Sequence, residues 1–445
     1  MDCTDEPKFN TELSVFPSGD GNFIVHLPLQ GRAFKVDSGT CQIIEKIKAG
    51  RLVERTERSE GVLRRLRDMR VLGNEPIVEP QTPLISQFVP LEATLIFTES
   101  CNLGCSYCYA SSTTGKSAPM SEKVMRAAVD LVSKNAAETE SRLARFRYIG
   151  GGEPTAEWRF LESTTRYIRE RCGSDSVRHF IRLITNGTLL TEERVAWLAS
   201  NIQFVTLSFD ILPELQEARP YANGKPTHSK LLEVVRNLCA AGIRFHLRTT
   251  ISAAGAGRLE EMVQYVHQNT GAKSIRFEPL SAIGRSVSTG LERPLEDVFV
   301  ESFKAAYRLG KQLGIDVTCK MFTNYQRRSA RFCDAEFSVT PSGRVTGCHR
   351  YSREEHDGYD QFLIGQFDGQ RFVFDIDRLN SLRKIDVHRF SDCSTCIARW
   401  NCAGGCLSAR MNSNGISEHG PLCNLTRELL KFSIEEKVNS NDRTG

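Results

Sequence analysis

Three thiols, Cys101, Cys105 and Cys108, stand at C-x3-C-x2-C spacing just after the apolar run Thr94-Leu95-Ile96-Phe97, which reads as a buried strand. Cubane iron–sulfur clusters are usually held by four thiolates, so a loop that supplies three leaves one iron free to bind something else. A zinc knuckle would want a fourth Cys or His close by, and the nearest histidine in sequence is His179. A second set follows: Cys333 and Cys348 with Gly343 between them, then Cys393-x2-Cys396-x5-Cys402-x3-Cys406, then Cys423. Seven thiols in one stretch can hold two further clusters, or one or two zinc ions.

The chain has 445 residues and 15 cysteines. A secreted disulfide framework fits poorly with that length and that odd count, so metal or cluster ligation is the better account. Cys3, Cys41, Cys172, Cys239 and Cys319 fall outside the spacings and are expected as small buried hydrophobes. A net charge of +4 over 445 residues does not suggest bulk nucleic-acid binding. The opening Met1-Asp2-Cys3-Thr4 has no basic-then-apolar pattern, and no run of membrane-spanning length occurs; the expectation is a cytoplasmic protein with no membrane contact.

The elements that position these thiols can be sketched in order. Phe23–Leu27 and Arg32–Val36 read as strands, and helical patterns follow over Cys41–Ile47 and Val62–Arg70; residues 1–73 are expected to be a winged-helix-like domain. Arginines at 51, 55, 58, 64, 65, 67 and 70 would suit phosphates, but acidic residues are interleaved with them, which reads as a salt-bridged face. Residues 74–92, with four prolines, read as an extended linker. From there β-rich runs at 94–97, 146–149, 181–184, 204–208, 245–250 and 274–278 alternate with amphipathic segments, one capped by Thr191. Six such repeats imply an α/β fold with a parallel sheet and ligands at the carboxyl ends of its strands.

The cysteine loop, with an aromatic residue before its last thiol, resembles the signature of the radical S-adenosylmethionine (SAM) enzymes. Gly150-Gly151-Gly152-Glu153-Pro154, which ends the second strand, resembles that family's glycine-glycine-glutamate-proline motif. The resemblance implies a partial (β/α)6 TIM-like barrel over residues 93–320. It implies a [4Fe-4S] cluster on Cys101, Cys105 and Cys108 whose fourth iron takes the amino and carboxylate groups of SAM. Tyr107 would lie near adenine, Gly152 and Glu153 at the amino group, Asn186 at a SAM contact, Ser208 and Asp210 at the ribose side, and Arg219 near the carboxylate. Residues 321–445 resemble the SPASM extension. By that likeness Cys393, Cys396, Cys402 and Cys423 would hold an outer auxiliary cluster, and Cys333, Cys348 and Cys406 an inner one. Some relatives place a fourth inner ligand where this chain has Val339; Cys319 or His349 are alternative donors.

The function so implied is that of a peptide maturase: reductive cleavage of SAM, hydrogen-atom abstraction from a ribosomally made precursor peptide, and a crosslink, epimerisation or oxidation. The N-terminal domain would capture a leader peptide as an added strand, and flavodoxin or ferredoxin would supply electrons. The alternatives are an anaerobic sulfatase-maturing type of enzyme, and a DNA-binding regulator whose clusters sense redox state.

Overall fold

The computed structural model describes residues 8–73, 76–112, 117–323, 327–412 and 415–441; Cys3 lies outside them. Six parallel strands form where the β-rich runs stand: β4 (Glu92–Leu95), β5 (Leu143–Tyr148), β6 (Arg178–Thr185), β7 (Phe204–Ser208), β8 (Phe245–Ile251) and β9 (Ser274–Pro279). They neighbour one another in chain order, and the helices Glu122–Ala137, Trp158–Ser174, Glu192–Asn201, His228–Ala240 and Leu259–Asn269 join them. Each helix buries one apolar stripe; in the first it is Val124, Met125, Ala128, Val129 and Val132, the spacing that an amphipathic helix needs to cover a sheet. The cap at Thr191 is present, its side chain accepting from the Arg194 amide, which supplies a partner for one of the unpaired amides of a first turn.

The sheet continues past those six strands on both sides. β10 (Asp316–Thr318) adds in parallel to β9, and β11 (Phe337–Val339) adds in parallel to β4. β12 (Arg344–Thr346), β13 (Leu363–Phe367) and β14 (Phe372–Phe374) then follow antiparallel, giving an eleven-stranded sheet. The six repeats stand as expected, and β10 with the strands beyond residue 320 extends the same sheet. Strands of three residues with polar members such as Asp316 and Ser338 carry too little periodicity to be read from sequence.

Residues 14–68 form a unit of their own with a small core around Val25, Leu27, Ile44, Leu63 and Leu66. Its sheet has three strands, not two: β1 (Ser14–Pro17) pairs antiparallel with β2 (Phe23–Leu27), which pairs with β3 (Arg32–Val36). β1 was missed because its four residues close on a proline, a weak strand signal. The helices Ser38–Lys48 and Glu57–Asp68 complete the unit.

This unit is docked on the far end of the chain. Phe16 and Ile24 pack with Ala398, Leu430, Ile434 and Val438, the last three from the helix Cys423–Asn441. Glu12 accepts from Arg399 (2.5 Å) and from the Trp400 indole (2.8 Å). The stretch before β4 is extended and pinned: the Asn380 side chain bonds both the amide and the carbonyl of Ile85 (3.0 and 2.9 Å), and Arg383 donates to the Pro83 carbonyl (2.9 Å).

His26, on β2, is 2% exposed with Nδ1 unpartnered, and burial pushes it down from 6.5 to about 4. The unfolded chain takes up the proton first, so as pH falls below 6.5 toward 4 the folded state loses ~1.4 kcal/mol per pH unit, ~3 kcal/mol in all. His26→Leu is expected to flatten that slope in urea titrations followed by Trp400 fluorescence. An unchanged slope would show that His26 does not carry it.

Candidate functional site

The cysteine loop runs on from β4 without regular secondary structure, so its backbone groups must be satisfied from elsewhere. One side is held by the segment after β7: Gly104 and Ser106 amides donate to the Pro220 and Ala218 carbonyls (2.9 Å each), and Leu103 bridges Tyr221. The other side is held by the single-turn helix Arg285–Ser288. The Arg285 amide donates to the Cys108 carbonyl (2.9 Å), Nη1 to the Cys105 carbonyl (2.7 Å) and Nη2 to the Ser112 carbonyl (2.5 Å). Gly284 has φ +59°, and a Cβ there would lie 2.4 Å from the Tyr109 carbonyl and 2.5 Å from that of Cys108. Sequence reading missed both residues, because nothing in a lone Gly-Arg pair 180 positions away signals a loop clamp.

Cys101, Cys105 and Cys108 line one cavity of about 240 Å³ together with Tyr107, Gly150–Gly152, Glu153, Asn186, Ser208 and Arg219. These come from the carboxyl ends of β5, β6 and β7, as a parallel sheet requires. Gly152 is obligatory: a Cβ would meet the Ser100 carbonyl at 1.9 Å. Glu153 is 2% exposed; Oε1 accepts from the Thr155 amide (3.0 Å) and from the Thr155 and Thr185 hydroxyls (2.6 Å each), and Oε2 from the Asn186 amide (2.7 Å). Asn186 reaches the Cys101 sulfur at 3.8 Å. Burial pushes the Cys101 thiol up to about 12, and the Glu153 charge adds to it. Burial also raises Cys105, against the pull of Arg219. Thiols so placed give up their protons only to a bound cation.

Asp210 stands behind the lining rather than in it. It is 2% exposed and accepts from the Tyr107 hydroxyl and from the Thr250 amide (3.1 Å). Arg219 Nη1 donates to the same hydroxyl at 3.0 Å, while its buried Nε has no partner. Burial drives the Tyr107 hydroxyl well above its ordinary range, Arg219 opposing, so Tyr107 stays a neutral donor fixed between an acid and a base.

The other seven thiols form two groups. Burial, with the charges of Cys423, Cys393 and Cys396, pushes Cys402 up to about 12, and Cys393 rises to about 11 from burial against Arg410, with Cys396 and Cys423 adding to it. Arg410, which sequence reading missed, ties that group together through the Gly404 (2.5 Å), Ser417 (3.0 Å) and Glu418 (2.6 Å) carbonyls. Cys333, Cys348 and Cys406 line a second, smaller cavity of about 40 Å³. Among the described residues no three His, Cys, Asp or Glu side chains converge as the ligands of a single ion do.

Val339 does not face that group. It sits on β11, fully buried in the main core, paired with Leu95 and Val345. Cys319 lines the larger cavity instead, and His349 Nδ1 is engaged by Glu336 at 2.9 Å. Of the remaining cysteines, Cys41 and Cys172 are buried as expected, while Cys239 is half-buried.

The family model for the radical SAM superfamily matches residues 95–266. Those residues are a radical SAM domain. The family implies a [4Fe-4S] cluster and SAM. Among relatives, an uncharacterized protein of Methanocaldococcus jannaschii is 29% identical over 183 residues; the match spans 41% of this chain and 60% of that protein. The subtilosin biosynthesis protein AlbA of Bacillus subtilis is 23% identical over 73% of this chain and 69% of its own length. A cysteine-type anaerobic sulfatase-maturating enzyme of Clostridium perfringens is 21% identical over 77% of this chain and 95% of its own. The solved structure of anSMEcpe with bound AdoMet and a peptide superposes with a TM-score of 0.63 at 20% identity, covering 80% of this chain and all of that one, which shows the shared fold. No helix among the described residues is long and apolar enough to cross a membrane.

Arg285→Ala is expected to lower iron retained at the Cys101 loop after anaerobic reconstitution, with far-UV circular dichroism unchanged, because the Cys105 and Ser112 carbonyls lose the guanidinium that holds them. Full iron content in that variant would show that the clamp is dispensable.

Proposed function

We propose that this chain is a radical SAM maturase acting on a ribosomally made peptide. The observation that supports it most is the convergence of three thiols, the glycine run, Glu153, Asn186, Ser208 and Arg219 on one cavity at the carboxyl ends of a parallel sheet. When bound there and reduced, the cluster and SAM supply a 5′-deoxyadenosyl radical, the species that takes a hydrogen atom from substrate. Cys101, Cys105 and Cys108 would hold the cluster. Arg219, through its unpartnered Nε, would receive the SAM carboxylate. Glu153 would favour the ammonium by charge, and through its four protein donors it stiffens the turn on which Gly152 presents backbone. Tyr107, fixed by Asp210 and Arg219, would form the wall beside the adenosyl group, and Ser208 would meet the ribose.

Two auxiliary clusters are part of the reading: an outer one on Cys393, Cys396, Cys402 and Cys423, and an inner one on Cys333, Cys348 and Cys406. Thiols that group without converging on a point suit a multi-iron cluster better than a tetrahedral zinc ion. The inner cluster has three thiol ligands in this reading; Val339, where some relatives place a fourth, is a hydrocarbon side chain with no donor atom and lies in the core. An electron donor such as flavodoxin or ferredoxin would reduce the centres.

The precursor peptide is the partner that the relatives favour, AlbA by its role in bacteriocin biosynthesis. The N-terminal unit, with its three-stranded sheet, would take the leader as an added strand. Its arginines speak against the DNA-binding alternative: Arg58 pairs with Asp37 and Arg55 with Glu60.

Replacing Cys101, Cys105 and Cys108 together by alanine is expected to abolish 5′-deoxyadenosine formation while the other seven thiols keep their iron. SAM cleavage at the wild-type rate in that variant would sink the proposal.

A further inference from the structure

Six charged side chains line the larger cavity: Arg219, Arg248, Lys320 and Arg350 against Glu153 and Glu278. Both carboxylates are already taken, Glu153 by its four donors and Glu278 by Arg276 Nε at 2.5 Å. Of the cations, Arg219 is committed to Tyr107, and Lys320 is engaged within the protein. Arg248 and Arg350 are different. Neither guanidinium forms an ion pair or donates a side-chain hydrogen bond among the described residues, and Arg350 Nη1 is buried without an acceptor. Arg248 lies on β8 opposite Ser208 and Arg276, so it stands on the cavity floor. Arg350 follows directly on the strand and loop that carry Cys348. Tyr109, Arg248 and Arg350 line the same cavity, and the charges of both arginines act on the buried Tyr109 hydroxyl.

An unsatisfied buried donor costs about 1–3 kcal/mol, and more when it is charged. Loading the inner thiols as thiolates would offset Arg350 in part, since Cys406 and Cys348 act on its charge. The Asp210 carboxylate, on which the Arg248 charge acts, is already occupied by Tyr107 and Thr250. SAM, with a sulfonium and an ammonium, brings positive charge and only one carboxylate. That carboxylate is assigned to Arg219 above, and clusters on the lining thiols supply negative charge but no oxygen acceptor, so the forks of Arg248 and Arg350 are left to a further carboxylate, which they match in shape as well as charge.

We propose that Arg248 and Arg350 form a receiving pair for a carboxylate of the substrate, so that the peptide enters with an acidic side chain or its free C-terminus beside the reacting position. This rests on the radical SAM maturase reading and narrows its substrate class.

The test uses reconstituted holoenzyme with SAM bound and three probes: N-acetylglutamate N-methylamide, whose side-chain carboxylate is free, the matching glutamine N-methylamide, and N-acetylglycine with a free carboxylate. Saturation-transfer NMR reads binding. The expected result is that at least one carboxylate probe binds about tenfold more tightly than the glutamine probe; the glutamate probe points to an acidic side chain, acetylglycine to a C-terminus. Arg248→Gln and Arg350→Gln should each remove the preference, and Arg248→Lys should keep part of it, which separates lost charge from lost folding. Equal binding of all three probes, no binding by any, or a preference that survives both glutamine variants overturns the pair. Formation of 5′-deoxyadenosine by the same wild-type preparation separates the two levels: if it is present and the charge preference is absent, only the pair fails; if it is absent, the maturase reading fails as well.

Discussion

One arginine holds the cysteine loop closed. Through its own amide and both ends of its guanidinium, Arg285 donates to the carbonyls of Cys108, Cys105 and Ser112, adding long-range donors to a loop whose own bonds, from the Cys108 amide to Cys105 and from the Ser111 amide to Cys108, are long at 3.3 and 3.2 Å. Everything at the site depends on that closure. The three thiols face one cavity because their backbone is fixed on one side by Arg285 and on the other by residues 218–221. The approach is so close that position 284 admits only glycine.

The second constraint is electrostatic. Burial holds Cys101 and Cys105 protonated in the protein alone, so the thiol groups store an unfavourable arrangement that a bound cationic centre relieves. The same logic runs through the lining. Tyr107 is kept neutral between Asp210 and Arg219, and Glu153 is held by four donors that also fix the turn around it. The three thiol groups are tied to one another through the fold: β11 and β12, which precede Cys348, are strands of the same sheet that carries the cysteine loop.

The sequence made the chemistry legible where spacing encodes it. Cys101–Cys108, Gly150–Glu153, and the strand ends at Asn186 and Ser208 follow from the motif and from the rule that parallel sheets bind at their carboxyl ends. What could not be read is long-range. Arg285 and Arg410 act on carbonyls that no local pattern connects to them, and β10–β14 are too short to show a period. Asp210 was expected at the ribose; it lies two residues past Ser208, beyond the end of the strand, where its carboxylate is taken by the Tyr107 hydroxyl and the Thr250 amide. Val339 was read by its distance from Cys333, but residues 337–339 form a strand, and its hydrogen bonds turn that side chain into the core.

The central claim is that SAM binds directly to an iron held by Cys101, Cys105 and Cys108. Electron–nuclear double resonance on the reduced protein, loaded with SAM carrying nitrogen-15 in its amino group, tests it most directly. The account predicts a hyperfine coupling to that nitrogen which disappears when SAM is withheld. A cluster signal that SAM leaves unchanged, with no nitrogen coupling, would contradict it.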